Sequence, residues 1–410
     1  VKTPIYFYTQ NLAPRQASGA HNRIYSNLRA YLDLGFEPEW VHLRTTSNQE
    51  VASPELGIAK YFTREAVPTV RSSRGRIEYA LGLTTKSAWQ FYFSTAQAFR
   101  EEVIARERRT PGAIHHFELG LAGSAIPLLD NVKTVWSCAD VESDYLSAQL
   151  HIDCQTENRG LQAHEKRRLR FVRRAERLIT KRSSVTLCIA DHETERMRTE
   201  WGCPQAEFLP MSMADEELGR KPEWLSGGRL NLLHLGSVEH FPTYRSLEFL
   251  LEKVFPLLAP EVLDRIRLNV VGNVTDAPHV KRIVAVAARF PQVHFAGFVK
   301  NIKDAYADAD LHLVGSTEAT GLRTRIVESF AFGVPVLSTT IGARGTAGLQ
   351  TGTNILIADE ARAYADLLGK LTTDRDQLEK LSRAGRSTYD AIYSRKRVSE
   401  QLGHFLNKYF

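Results

Sequence analysis

Residues Glu318–Thr340 read EATGLRTRIVESFAFGVPVLSTT. Just upstream, Leu311–Val314 is a short apolar run with the character of a buried strand. Thr320 and Gly321 form the turn that follows it. Beyond the turn, Ile326, Val327 and Phe330 recur at helical spacing and predict a buried stripe. Gly333 stops this helix and Pro335 opens the next strand. Strand, turn, helix and strand in this order make one repeat of a doubly wound parallel sheet. The free N–H groups at such a helix start attract an anion such as a diphosphate. Arg323 and Arg325 stand in the first turn, where cations oppose the helix dipole, so a bound anion would account for them. Glu328, one turn further on, can accept hydrogen bonds from the 2′ and 3′ hydroxyls of a ribose. The plainer alternative is a surface helix with scattered charge.

The same alternation runs outward in both directions. Strand candidates are Ile5–Tyr8, Trp40–Leu43, Ala113–Phe117, Thr134–Cys138 and Val185–Ala190, then Leu230–Leu235, Arg267–Val271, Val293–Ala296, Leu311–Val314, Pro335–Ser338 and Asn354–Ile357. Helical patterns between them include Tyr244–Leu258, Val280–Phe290, Ile302–Ala307 and Arg325–Phe332. The expected fold is α/β, with two doubly wound, Rossmann-like parallel sheets facing a cleft. Pro222–Arg229, PEWLSGGR, reads as a linker. Domains are therefore expected at 1–220 and 221–388, with 389–410 a terminal helix that packs back on the first domain. Residues 47–85 show no clear period and read as loop-rich.

The 410 residues, 43% hydrophobic and 24% charged, have the balance of a globular protein of two or three domains. The four cysteines, Cys138, Cys154, Cys188 and Cys203, show no paired spacing, which fits free thiols in a reducing compartment. No apolar run approaches the roughly 18 residues of a membrane span, and the N-terminal VKTPIYFYTQ has no signal-peptide pattern. The expected location is the cytoplasm or the cytoplasmic face of a membrane. The net charge of +6 is uneven: Glu165–Arg182, EKRRLRFVRRAERLITKR, carries nine Lys or Arg against two Glu. Leu169, Val172, Leu178 and Ile179 recur there at helical spacing. The stretch is either a solvated helix face or a contact for an anionic membrane surface or acceptor. Nucleic acid is not expected, because no recognition motif accompanies the charge.

With these residues in view, the chain resembles the group 1 glycosyltransferases, the large retaining (family 4-like) family of GT-B architecture. Glu318–Thr340 resembles its nucleotide-sugar motif. SGAHNRIYSNLRAYLDLGFEPEWV, residues 18–41, is similar to its first glycine loop and helix. LNLLHLGSVEHFPTYRSLEFL, residues 230–250, is similar to its phosphate loop, and LNVVGN, VHFAGFVKNIKDAYADADLHLV and GVPVLSTTIGARG follow in the family's order. Two departures stand out. The family's two glutamates eight positions apart become Thr320 and Glu328, with TGLRTR similar to a Thr-Gly-basic variant. The phosphate loop has Ser237 where the family often has Arg, and no Lys.

The resemblance implies retaining transfer of a sugar from a nucleotide-sugar donor, of unknown base, to a sugar or glycolipid acceptor, as in polysaccharide assembly. It implies Gly19, Gly236, Ser237, Arg245, Thr320, Gly321, Leu322, Arg323, Arg325 and Glu328 as donor contacts. Arg325 and Glu328 also carry the catalytic work, together with a histidine at the end of the strand Ala113–Phe117 that touches the donor sugar. That histidine is His116, with His115 as the fallback. His115, Asp140 and Glu142 are candidate acceptor contacts; Asp140 and Glu142 read equally well as turn and cap residues. No metal and no cofactor beyond the co-substrate are expected. The pairs Asp308–Asp310 and Asp374–Asp376 do not stand at a strand's carboxyl end, where ligands bind. Two rivals remain: an epimerase-like enzyme acting on nucleotide sugars, and a degenerate, non-catalytic binding subunit.

Overall fold

The structure, a computed structural model, describes residues 2–10, 19–44, 61–65, 86–156, 158–213, 224–225, 228–299, 301–317 and 324–410. The chain forms two compact units: Val1–Ser212 with Arg395–Phe410, and Met213–Ser394. The expected boundary at 220/221 falls inside the second unit. The expected tail 389–410 is divided, since Tyr389–Tyr393 stays with unit 2 and only the helix from Arg395 belongs to unit 1.

Unit 1 contains β1 (Ile5–Gln10), α1 (Gly19–Asp33), β2 (Glu39–Arg44), β3 (Tyr61–Glu65), α2 (Lys86–Arg109), β4 (Ile114–Glu118), α3 (Leu119–Gly123), β5 (Lys133–Cys138), α4 (Glu142–Thr156), α5 (Ala163–Arg182), β6 (Val185–Cys188), α6 (Asp191–Thr199) and β7 (Ala206–Phe208). The sheet order is β3-β2-β1-β4-β5-β6-β7, with every pair parallel. β3 lies in the stretch expected to be loop-rich, and β7 is a three-residue strand that no periodicity announces. β1 is buried along its whole length, as a parallel strand covered on both faces must be. Its residues alternate between two cores: Tyr6 and Tyr8 pack with Phe99 and Phe117, while Ile5 and Phe7 pack with Tyr31 and Val135.

Unit 2 contains β8 (Leu230–Leu235), α7 (Phe241–Glu248), α8 (Pro260–Leu263), β9 (Ile266–Val271), α9 (Pro278–Ala287), β10 (Val293–Gly297), α10 (Ile302–Ala307), β11 (Leu311–Val314), α11 (Thr324–Ala331), β12 (Val336–Ser338), α12 (Thr340–Ala343), β13 (Leu356–Ile357), α13 (Ala361–Leu371) and α14 (Arg375–Thr388). Its sheet order is β10-β9-β8-β11-β12-β13, again all parallel. α15 (Arg395–Tyr409) returns to unit 1. In each sheet the winding reverses once, between β1 and β4 in unit 1 and between β8 and β11 in unit 2. The carboxyl ends of those strands flank the crevice where doubly wound sheets bind ligands. Among the described residues, no helix is long and apolar enough to cross a membrane.

α11 ends as its sequence requires. Gly333 has φ +67°, its N–H donates to Phe330 O (3.1 Å), and Val334 N–H donates to Ser329 O (2.8 Å). That pair of bonds is a Schellman cap, which needs a residue free to turn left-handed.

Candidate functional site

The switch point of unit 2 gathers residues from three segments. β8 runs straight into Gly236, at φ +128°. A Cβ at Gly236 would overlap the guanidinium of Arg325, which arrives from the first turn of α11. A Cβ at Gly272, after β9, would overlap the Gly236 carbonyl. Two glycines thus let the loop after β8 lie flat between the neighbouring strand end and the arginine. The Arg325 Nη2 donates to Thr243 Oγ1 (3.0 Å), and Thr243 sits fully buried in the first turn of α7. Loop, α7 and α11 therefore meet at one guanidinium.

Two buried histidines, His234 of β8 and His312 of β11, lie beneath Arg325. His234 Nε2 meets Ser246 Oγ (2.9 Å) and His312 Nδ1 meets Ser329 Oγ (2.6 Å). Burial, followed by the charge of Arg325, pulls both rings down, His312 to about 3, so both are neutral. Burial also pulls the Arg325 guanidinium below its usual range, and Glu328 opposes that pull. Among the described residues no carboxylate lies within ion-pair distance of Arg325. Glu328 takes a hydrogen bond from Tyr306 OH (3.3 Å). Burial pushes its carboxyl up to about 7, against the opposing influence of Arg325 and Tyr306. Arg325 and Glu328 both keep a partly exposed edge. The result is a lightly compensated cation and a poised carboxyl, side by side on one helix at the carboxyl end of a sheet.

Of the other expected donor contacts, Ser237 lies in the loop after β8, and Gly19 opens α1 in unit 1. Thr320, Gly321, Leu322 and Arg323 lie outside the described residues. Arg245 is not delivered to Gly236. It pairs with Glu248 (2.6 Å) and lies over the Phe241 ring, in a cluster that Arg282 extends to Glu248 and Glu252. A phosphate would have to compete with Glu248 for it.

The histidines of unit 1 take a different place from the one expected. His115 and His116 point to opposite faces of β4, as strand alternation requires, but neither is exposed at all. His116 Nδ1 meets Tyr31 OH (2.8 Å) and Nε2 meets Glu118 Oε1 (2.9 Å). His115 is held by Tyr8 OH (2.8 Å) and Glu107 (2.9 Å). With both nitrogens of each ring engaged inside unit 1, the expected contacts with donor sugar and acceptor give way to a structural role. Around His116 lies a polar nest at the β1/β4 switch point. Asn27 Nδ2 donates to Glu118 Oε1 (2.5 Å) and Ser137 Oγ (3.0 Å), and Arg23 donates to Ser137 Oγ (3.1 Å) and the Leu209 carbonyl (2.6 Å). Burial opposes ionisation of Glu118, but His116, Arg23 and Asn27 together hold its pKa below the usual value.

Asp140 is exposed after β5, and its carbonyl accepts the Cys138 thiol. Glu142 opens α4, with its carboxylate against Gly120. Glu176 and Glu193 are buried nearby, raised by burial to about 7 and about 8. Sequence reasoning did not single out Thr243, Tyr306, Gly272 or the Arg23–Asn27–Glu118 nest. Thr243 and Tyr306 stand inside quoted motifs, but only the fold aims them at Arg325 and Glu328.

Residues 229–374, most of unit 2, match the family model described as "Glycosyl transferases group 1". Over these residues unit 2 is similar to the group 1 glycosyltransferases. Among curated proteins, none matches the chain. Solved structures share the fold along nearly its full length. HepE of Anabaena, in complex with UDP and glucose, is 12% identical with a TM-score of 0.66, covering 99% of this chain and 100% of that one. Sucrose-phosphate synthase from Thermosynechococcus elongatus is 15% identical with a TM-score of 0.68, covering 99% of both. WaaG, a glycosyltransferase involved in lipopolysaccharide biosynthesis, is 16% identical with a TM-score of 0.61, covering 97% and 99%. The α/β fold with two parallel-sheet units is thus that of the GT-B glycosyltransferases, and the segment matched by the family model contains Gly236, Arg325 and Glu328.

Proposed function

We propose that this protein transfers a glycosyl group from a nucleoside diphosphate sugar to an acceptor hydroxyl, with retention of configuration. The observation that carries the reading is Arg325, half-buried against Gly236 at the switch point and without a carboxylate partner among the described residues. A diphosphate over Gly236 would accept from Arg325 and meet the amino end of α11. The cation the family often carries in the loop after β8 is absent from this sequence, and Arg325 reaches the same loop from α11 instead. Glu328, one turn along, would take the ribose hydroxyls. As the glycosidic bond breaks, negative charge grows on the leaving diphosphate, and a fixed guanidinium stabilises that charge more than the ground state. A leaving phosphate oxygen would then take the acceptor proton, so the reading asks for no protein base and no cofactor. That HepE holds UDP and glucose supports a uridine donor. The acceptor class is a sugar or glycolipid.

Thermal shift with nucleoside diphosphates tests the reading. One of them should raise Tm, by an amount set by its concentration over Kd. Arg325→Ala should weaken the diphosphate much more than the bare nucleoside. Glu328→Ala should weaken both, by about 1.5–3 kcal/mol. A wild-type protein stabilised by no nucleotide would sink the reading in favour of a binding subunit. An epimer formed from donor alone would replace transfer with epimerisation, and the anomeric configuration of the product decides retention.

A further inference from the structure

α5 has a one-sided charge that its sequence only half discloses. Its two glutamates are both turned inward. Glu165 closes the amino-terminal capping box and pairs with Arg159 (2.9 Å), and Glu176 accepts the Ser143 N–H (3.2 Å). With Leu169, Val172 and Ile179 they form the buried stripe. The opposite face is therefore cationic without interruption. Lys166, Arg167, Arg170, Arg173, Arg174 and Lys181 are all exposed. They fall within about one third of the helix circumference at 3.6 residues per turn. None of the six has an ion pair among the described residues, whereas Arg182 is paired with Asp130 (2.9 Å) and Arg177 lies over Trp201 (5.7 Å). Two large exposed apolar side chains belong to this helix and to α4, which packs against it. Leu178 on the same helix is 44% exposed, and Tyr145, in the first turn of α4 that Glu176 holds, is 53% exposed.

We infer that this face of α5 is a docking surface for an anionic lipid bilayer. Six like charges in a row along a helix about 30 Å long repel one another in the free protein. A plane of lipid phosphates relieves that repulsion along the whole row at once. Leu178, at the edge of the row, decides between a bilayer and a nucleic acid. At a bilayer it reaches the boundary between head groups and acyl chains, where an amphipathic helix places its apolar side chains, whereas a duplex phosphate backbone offers it no apolar partner. The inference rests on α5 and its neighbours in unit 1, not on the glycosyl-transfer reading, and its test uses no donor or acceptor.

The full chain is sedimented with vesicles of phosphatidylcholine alone and of phosphatidylcholine mixed with phosphatidylglycerol, across a salt series. The protein should pellet with the anionic vesicles only and should be released as salt rises. Changing Arg167, Arg170, Arg173 and Arg174 together to Ser should lower partitioning by about two to three orders of magnitude. Leu178→Ser, which keeps every charge, should lower it by about tenfold or more, as expected for an apolar side chain withdrawn from the boundary. Circular dichroism accompanies each variant, and the wild-type salt series stands whether or not a variant folds. Wild-type protein left in the supernatant at low salt would overturn the inference. So would a fourfold variant that pellets like wild type, or tighter binding to a short DNA or RNA duplex than to anionic vesicles at equal salt.

Discussion

At the residue scale, Glu328 is the group whose chemistry depends most on its surroundings. Its carboxyl is raised to about 7 by burial, so near neutrality it is divided between two forms. Only the carboxylate accepts from both ribose hydroxyls. Binding of a bare nucleoside, which has no phosphate of its own to titrate, should therefore tighten as pH rises through about 7 and level off above it. Below that pH it should fall by about tenfold per unit. Glu328→Gln should flatten the profile at the weak level. Stability of the free protein should move in the opposite sense. An acid raised on folding binds its proton more tightly in the native state, so its contribution is fully present below the unfolded pKa near 4.5 and is lost as pH rises toward 7. Calorimetric nucleoside titrations at several pH values, alongside urea melts, separate the two effects. A wild-type nucleoside profile flat from about pH 5 to 8 would remove Glu328 from the ribose.

At the element scale, the Asp308–Asp310 pair shows how a motif spacing can have a purely structural cause. Asp310 is fully buried just before β11, where it accepts the N–H of Asn231 (2.8 Å) and of Leu225 (3.3 Å). It thus ties the chain entering unit 2 to the first residues of β8, the strand that leads to Gly236. Asp310→Ala would strand two backbone donors and should destabilise unit 2 by about 2–3 kcal/mol. Asp308 is exposed, and its replacement by Ala should cost less than about 0.5 kcal/mol. Urea denaturation of the two variants distinguishes them. Equal losses would mean that the pair acts as a unit, against the structural account.

At the scale of the whole molecule, the chain's last helix completes its first unit. Val398, Leu402, Phe405 and Leu406 of α15 are buried in the core that also holds Phe7 and Tyr31. Asp33 of α1 binds Arg395 and Ser399, while Glu207 of β7 binds Lys408 (2.6 Å) and Tyr409 (2.7 Å). Four buried apolar side chains at about 1.5–3 kcal/mol each approach the whole stability of a typical domain. A chain ended at Ser394 should therefore lose or greatly lower the unfolding transition of unit 1, while a nucleotide still protects unit 2. Calorimetry reads both transitions, and a truncated chain whose unit 1 melts as in the full chain would refute the account.

Periodicity alone placed most strands, because a parallel strand buried on both faces must be an apolar run; Leu230–Leu235 and Leu311–Val314 are read to the residue. The stop at Gly333 was equally legible, since only a residue tolerant of a left-handed turn suits that cap. Arg325 and Glu328 could be proposed because they stand in the first turns of a helix after a strand, and Gly236 because its loop resembles the family's phosphate loop. Other features depend on partners far away in sequence, and no spacing encodes them. β3 and β7 are too short or too irregular to show a period. Arg245 lies near the phosphate loop in sequence, but Glu248 and the Phe241 ring draw it aside. His115 and His116 look available beside a strand end until Tyr8, Tyr31, Glu107 and Glu118 close over them. Thr243 and Tyr306 acquire their positions only when α7 and α10 pack against the sheet. In α5 the sequence shows nine cations and two glutamates. Burial of the glutamates is what leaves the exposed face of a single sign, and burial is a property of the fold.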